Sequence, residues 1–132
     1  MIEQITILGG RGKDGAPEPV REVRLRMGEV VSIVGPTGSG KTTLINDLEF
    51  FADGSTPTRR GVLVNGAAPD PQYREDPSRN PIALITQHTN FLSDLPVRDF
   101  LVIHAQIRDT DCGDSLELVA QTLAFANQLT GE

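Results

Sequence analysis

The feature that most constrains the fold is a glycine-rich octapeptide, GPTGSGKT, at residues 35–42. The run before it, EVVSIV at 29–34, is rich in β-branched residues and suits a buried parallel strand. From Lys41 onward the sequence has apolar residues at helical spacing, and Gly54 is a suitable terminator for that helix. A strand that passes through a glycine turn into a helix is the repeating unit of α/β folds. The sequence therefore predicts an α/β domain with a mainly parallel sheet.

The rest of the chain supplies further strands and helices around this unit. Alternation of apolar and charged residues at 20–27 predicts a half-exposed strand that pairs antiparallel with another at 2–8. A proline-rich excursion at 67–81 is predicted to lie on the surface. The other predicted elements are strands at 61–66 and 82–86 and amphipathic helices at 96–107 and 115–129.

Composition and charge exclude some classes of function for this chain. The formal net charge is −6 and no dense Lys/Arg block offsets it, so nucleic acid is not expected as a partner. The single cysteine, Cys112, excludes an intrachain disulfide and fits a reducing compartment. The amino terminus lacks a signal-peptide pattern, and no run reaches the roughly 18 apolar residues that a membrane span needs. These features predict a cytoplasmic protein, which includes a peripheral position at the inner face of a membrane.

The octapeptide satisfies G-x-x-x-x-G-K-[ST], the pattern of a phosphate-binding loop, or P-loop. Its glycines let backbone amides approach phosphate oxygens at the amino terminus of a helix, where the helix dipole adds positive potential. Lys41 is predicted to reach the β- and γ-phosphates of a nucleotide, and the Thr42 hydroxyl to ligate Mg²⁺. Thr43 would add a hydroxyl near the α-phosphate. The predicted cofactor-binding residues are Gly35, Pro36, Thr37, Gly38, Ser39, Gly40, Lys41, Thr42 and Thr43.

The residues around the P-loop resemble the start of an ABC-type (ATP-binding cassette) ATPase domain. The segment at 20–31 (VREVRLRMGEVV) leads into the P-loop as in that family, and GVLVNG at 61–66 is similar to the family's next strand and turn. IALITQHTNFL at 82–92 and DLPVRDF at 94–100 resemble the region of the family's Q-loop. The resemblance covers residues 20–107. It implies a P-loop NTPase core, with a mainly parallel sheet plus amino-terminal antiparallel strands, in an incomplete ABC ATPase domain.

The resemblance also implies a ligand, a sensor and partners. The ligand would be ATP with Mg²⁺, and Gln87 would ligate the metal or the attacking water and sense the γ-phosphate, beside Lys41 as the second catalytic residue. In the intact protein two nucleotide-binding domains would sandwich ATP, as a homodimer or a heterodimer. Hydrolysis would then drive a mechanical task, usually transport by membrane subunits. Phe91 and Leu92 either contact such subunits or anchor their loop to the core.

The sequence departs from the pattern of the ABC family in three features. The loop at 9–19 has no aromatic residue to stack on adenine, so Arg11 or Lys13 either covers the ring as a cation or is a solvated loop charge. No hydrophobic strand ending in Asp-Glu follows Gln87, and neither the family signature nor its switch histidine is present. The chain is therefore expected to correspond to roughly the first half of the domain and to turn ATP over very slowly. The expected layout is an antiparallel β part (1–28), a P-loop core through the Q-loop (29–95) and the start of a helical subdomain (96–132).

Other interpretations stay open at this point. A small P-loop kinase or another NTPase would need lid arginines, for which Arg59, Arg60 and Arg74 are candidates. A non-catalytic nucleotide-sensing module would bind ATP to order its surface without hydrolysing it. A chance match in a glycine-rich turn is the structural alternative, but the β-rich run before the motif and the helix after it favour the P-loop.

Overall fold

The computed structural model describes residues 1–86, 94–108 and 112–131 of the chain. These residues divide into two units, Met1–Leu84 and Ile85–Glu132, and each is described by itself. The first unit contains the P-loop, and the second contains two helices. The domain boundaries expected from the sequence, at 28 and 95, remain predictions.

The sheet of the first unit has three strands: β1 (Gln4–Leu8), β2 (Glu22–Arg26) and β3 (Gly61–Val64). Their order is β2-β1-β3, and β1 pairs antiparallel with both neighbours. The central strand is the best covered, with Ile5, Thr6 and Ile7 all buried. The predicted antiparallel pairing of the two amino-terminal strands is therefore confirmed, and β3 lies where a strand was predicted.

Helix α1 (Lys41–Glu49) begins directly at the P-loop and ends earlier than Gly54, the predicted terminator. It ends in a Schellman motif: Ala52 N–H donates to Asp47 O at 2.9 Å, and Phe51 N–H donates to Leu48 O at 3.1 Å. Phe51 has the left-handed φ of +48° that this motif usually assigns to glycine. The cost of about 1 kcal/mol for that conformation in an L-residue is offset because the Phe51 ring is fully buried.

The core of the first unit is built around Phe51. It is a cluster of four buried residues, Ile5, Phe51, Ala52 and Val62. A short helix, α2 (Gln72–Glu75), lies in the region predicted as a surface excursion and brings the Tyr73 ring to 5.3 Å from that of Phe51, centroid to centroid. The partly buried residues packed against the cluster are Ile2, Leu48, Val64, Tyr73 and Ile82. The core therefore joins the sheet to the carboxyl end of α1.

The two predicted buried strands at 29–34 and 82–86 are not formed in the described structure. Neither segment joins the sheet, and the side chains of Val30 and Val34 are 98% and 89% exposed. A parallel strand owes its order to neighbours on its edges and to helices on its faces. None of the three strands in the described part of the chain pairs with either segment, so the β-branched pattern lacks the contacts that would make it a strand.

The second unit is a pair of helices, α3 (Val97–Arg108) and α4 (Cys112–Thr130), at the places where helices were predicted. They pack against each other, and Ser115 and Val119 of α4 are buried. Much of the apolar surface of α4 stays exposed, including Leu116, Phe125 and Leu129. Within the described ranges, no helix is both long and apolar enough to cross a membrane.

Candidate functional site

The P-loop forms an irregular turn that ends at the amino terminus of α1. Two of its glycines have left-handed backbones, with φ +80° at Gly38 and +92° at Gly40, which other residues adopt only at a cost. Gly40 is the N-cap residue of α1 and offers no side-chain cap. Because the first-turn amides of a helix have no partner inside it, these donors face outward at the positive end of the helix dipole. The turn therefore has the geometry of an anion site.

Lys41 is folded back over the P-loop. Its Nζ donates to Gly35 O at 2.7 Å and to Pro36 O at 2.8 Å, and lies 3.5 Å from Ser39 Oγ. These acceptors are neutral oxygens in an exposed setting, so an anionic ligand oxygen would be a stronger partner for the ammonium. The contacts hold the lysine at the loop, ready for such a ligand.

A cavity of about 290 Å³ lies at the turn. The Thr42 and Thr43 side chains are exposed and line it. Every described residue that lines it is neutral or cationic, although the chain as a whole carries a net charge of −6. Mg²⁺ binds few protein oxygens and keeps water or phosphate as its other ligands, so the Thr42 hydroxyl fits the role of its protein ligand. The lining residues are Lys13, Thr37, Gly38, Gly40, Lys41, Thr42 and Thr43.

Lys13 reaches this cavity from the loop that precedes β2. Its Nζ donates to the carbonyl oxygen of Gly38 at 2.7 Å. From the sequence, Lys13 was interpreted either as a cation that covers the adenine ring or as a solvated charge. Its contact with the P-loop was not predicted. One signal was available in the sequence: Lys13 and Lys41 are its only two lysines, and the fold brings both to the P-loop.

A partly buried ion network connects the Lys13 loop to α1 and to the segment that precedes β3. The Arg60 guanidinium pairs with Glu18 on one side and donates to Asp47 Oδ2 at 3.0 Å on the other. Asp47 also accepts from Thr58 Oγ1 at 2.9 Å. The Arg60 hydrogen bond holds the pKa of Glu18 below its ordinary value, and the pairing with Glu18 raises the pKa of Arg60.

The proposed lid arginines are already committed to other contacts. Arg60 belongs to the ion network, and Arg74 pairs with Asp53 at 2.7 Å. Arg59 lies 3.5 Å from Gly54 O. None of these three side chains lines the P-loop cavity. The arrangement therefore offers no support for a kinase lid built from them.

The structure places the eight P-loop residues and Thr43 together but does not describe every predicted site residue. Gly35, Pro36 and Ser39 surround the Lys41 ammonium, and the other P-loop residues line the cavity. Gln87, Phe91 and Leu92 lie outside the described residues. Their predicted roles therefore stay predictions.

The comparison with protein families identifies the family to which the chain belongs. The sequence pattern of the ABC transporter family matches residues 21–131. The chain belongs to the ABC transporter family of ATP-binding proteins, which confirms the resemblance carried by its sequence motifs. The members of this family have the P-loop NTPase fold and use ATP with Mg²⁺.

Individual relatives show how much of a longer protein this chain matches. It is 47% identical to an uncharacterized ABC transporter ATP-binding protein of Methanocaldococcus jannaschii, over 99% of the chain and 49% of that protein. It is 39% identical to an ATP-dependent lipid A-core flippase of Cupriavidus pinatubonensis, over 71% of the chain and 15% of the flippase. The chain thus spans about half the length of the first relative and far less of the second. No solved structure matches it.

Proposed function

We propose that the P-loop at residues 35–42 binds MgATP, as part of an ABC-type ATPase. The observation that carries this proposal is the cavity at the amino end of α1, which is lined by the P-loop and by both lysines of the chain. A helix amino terminus with uncapped amides and two ammonium groups, and without a carboxylate among the lining residues that the structure describes, suits a polyphosphate. Because the chain belongs to the ABC transporter family, ATP is the polyphosphate that we propose as the ligand.

Several groups at and after the P-loop would take part in this binding. Phosphate oxygens accept from the first-turn amides of α1, and the Lys41 ammonium exchanges its carbonyl partners for the β- and γ-phosphates. Thr42 would hold the magnesium ion, whose charge would neutralise part of the charge on those phosphates. Thr43 supplies a hydroxyl near the α-phosphate. Gln87 is proposed to complete the site as the sensor of the γ-phosphate.

Replacing Lys41 by alanine is expected to weaken MgATP binding by at least about thirtyfold, because a charge-assisted contact to the phosphates is lost. Isothermal titration of MgATP into the wild-type chain and the Lys41→Ala variant measures this difference. Arg26→Ala is the matched control, since it removes one exposed positive charge on β2, away from the cavity. The control is expected to bind within about twofold of wild type.

Equal affinities in the wild type and the Lys41→Ala variant would refute the proposed site. MgGTP titrated in parallel tests the choice of base, for which the loop at 9–19 supplies no aromatic residue. An ATP preference is proposed from the family alone.

We expect the 132-residue chain to hydrolyse ATP no faster than its Lys41→Ala variant. Among the described residues that line the P-loop cavity, none is a carboxylate that could activate water, and no strand ending in Asp-Glu follows Gln87 in the sequence. Phosphate release at saturating MgATP measures the rate. A steady release that disappears in the variant would show that a catalytic base is present in the chain.

In the intact protein the proposed task is to couple ATP hydrolysis to transport. A second nucleotide-binding domain, identical or different, would complete the site, and membrane subunits would receive the motion. The mainly parallel sheet is proposed to form there, with 29–34 and 82–86 as strands between neighbours. The residues that stay exposed in this chain, such as Val30 and Val34, support that proposal.

A further inference from the structure

The two lysines of the sequence converge on one turn of backbone. Lys41 donates to Gly35 O and Pro36 O, and Lys13 donates to Gly38 O. Both side chains line the same cavity of about 290 Å³. Lys41 belongs to the P-loop motif, whereas Lys13 lies 25 residues upstream of Gly38 and no motif assigns it a role. Its position at the cavity needs a separate explanation.

Lys13 is delivered by a loop that is fixed at its base. At the tip, Gly12 N–H donates to Ala16 O at 2.9 Å and closes a turn around Lys13. At the base, Arg11 N–H donates to Thr58 O at 2.6 Å, and Gly10 N–H donates to Glu18 Oε2 at 3.0 Å. The loop is thus held by hydrogen bonds from the backbone N–H groups of the three residues that precede the lysine.

Close packing and buried charge make this placement specific. A Cβ at Gly10 would collide with the Thr58 carbonyl oxygen, so no side chain can occupy that position without moving the loop. Glu18, which accepts from Gly10, is itself held by Arg60, and Arg60 is held by Asp47 of α1. The chain of contacts runs from the Lys13 loop to the helix that follows the P-loop. The ammonium of Lys13 therefore lies at the cavity because the fold fixes its loop there.

We propose that Lys13 is a second phosphate-binding lysine, which turns from Gly38 O to the polyphosphate of a bound nucleotide. This inference rests on the proposed function of the P-loop and adds a residue to it. The present partner of Lys13 is a neutral carbonyl oxygen in an exposed position, and an ammonium binds a phosphate oxygen more strongly. Of the two cations in the loop, Lys13 lines the P-loop cavity, whereas Arg11 lines other cavities.

We assign Lys13 to the phosphates of the nucleotide and not to its base because of where the Lys13 ammonium lies. It is within hydrogen-bonding distance of P-loop backbone, and the residues around it in the cavity are those whose amides and hydroxyls bind phosphates. A ring-covering role would require the ammonium to lie over a base, away from these donors. The contact seen at Gly38 therefore points to charge neutralisation.

The test compares ligands with and without a base. MgATP and magnesium tripolyphosphate are titrated calorimetrically into the wild-type chain and into the Lys13→Ala, Lys13→Arg and Lys13→Gln variants. We expect Lys13→Ala to weaken both ligands by about tenfold, the effect of one charge-assisted hydrogen bond. Lys13→Arg keeps the charge and is expected to stay within about threefold of wild type. Arg26→Ala, with unchanged affinity for both ligands, is the control for loss of one charge.

Lys13→Gln separates ligand binding from support of the P-loop. Glutamine keeps an N–H donor for Gly38 O but has no charge, so it is expected to behave as alanine does. Full rescue by glutamine would assign Lys13 to holding the loop and overturn the proposal. A loss confined to MgATP, with tripolyphosphate unaffected, would assign it to the base and also overturn the proposal.

The outcomes also distinguish this inference from the proposed function. Loss of binding in Lys41→Ala with no change in Lys13→Ala would keep the P-loop site and reject Lys13. No saturable binding of either ligand by the wild-type chain would reject both. Thermal unfolding of each variant confirms that it is folded during the titration.

Discussion

Replacing Phe51 by alanine is expected to lower the free energy of unfolding of the first unit by about 4 kcal/mol, the usual cost of emptying a buried phenylalanine site. Phe51 is fully buried at the centre of the cluster formed with Ile5, Ala52 and Val62, and its ring packs on Tyr73. Domains of this size are stable by only about 5–15 kcal/mol. Urea unfolding followed by circular dichroism measures the change.

The neighbouring residue provides the control for this experiment. Phe50 is the same residue type one position earlier, yet its side chain is 62% exposed. Phe50→Ala is expected to change the free energy of unfolding by less than about 0.5 kcal/mol. Where Phe51→Ala fails to fold, Phe51→Leu keeps most of the buried volume and gives a smaller loss of about 1.5 kcal/mol. Equal stability of the two alanine variants would show that the core does not depend on Phe51.

The second large effect is expected from Arg60→Ala, which should destabilise the first unit by about 3 kcal/mol. The variant leaves the carboxylates of Glu18 and Asp47 without their shared guanidinium, and the Asp47 side chain is only 8% exposed. Uncompensated charge in a partly buried position is costly, whereas the pair itself adds little net stability. Urea unfolding at pH 7 measures the loss.

Arg24→Ala is the matched control, because Arg24 pairs with Glu22 at the surface, with 66% of its own side chain exposed. Exposed pairs contribute about 0.2–1 kcal/mol, so the control should be close to wild type. A loss in Arg24→Ala as large as that in Arg60→Ala would contradict the assigned role of the buried network.

The Arg60 effect also has a definite dependence on pH. Arg60 holds the pKa of Glu18 below its ordinary 4.5. The stabilisation from this pairing is therefore complete above the unfolded-state pKa and is lost as pH falls through the lower folded-state value. The stability difference between wild type and Arg60→Ala should shrink when unfolding is measured in acid, below about pH 4.

Much of the site could be predicted from the sequence, because the P-loop is local. The motif, the start of α1 at Lys41 and the convergence of its residues depend on glycine conformations and helix geometry within a few positions of chain. The position of Lys13 depends on contacts between distant segments, in particular the pairing of Glu18 with Arg60. No periodicity or spacing in the sequence encodes that pairing, so the lysine could not be assigned to the cavity beforehand.

The fold was predicted well where strands find partners within the chain. β1 pairs with both β2 and β3, and the sequence patterns of all three strands predicted them. Residues 29–34 have an equally strong β pattern but no neighbouring strand among the described residues. The end of α1 was also predicted too late, because glycine was taken as the stop signal and the left-handed position is filled by Phe51. Both outcomes depend on burial, which local sequence preference does not report: Val30 and Val34 are exposed, whereas Phe51 is buried in the core.

The Schellman end of α1 has a mechanical consequence for the P-loop. The nine-residue helix is about 13 Å long; its first residue is Lys41, and Phe51, seated in the core, follows its last by two positions. A short helix does not stretch or bend easily, so we expect a displacement of its amino end to be transmitted to the Phe51 ring. The P-loop is thereby connected through α1 to the buried core of the unit, and we expect its position to differ little with and without a ligand.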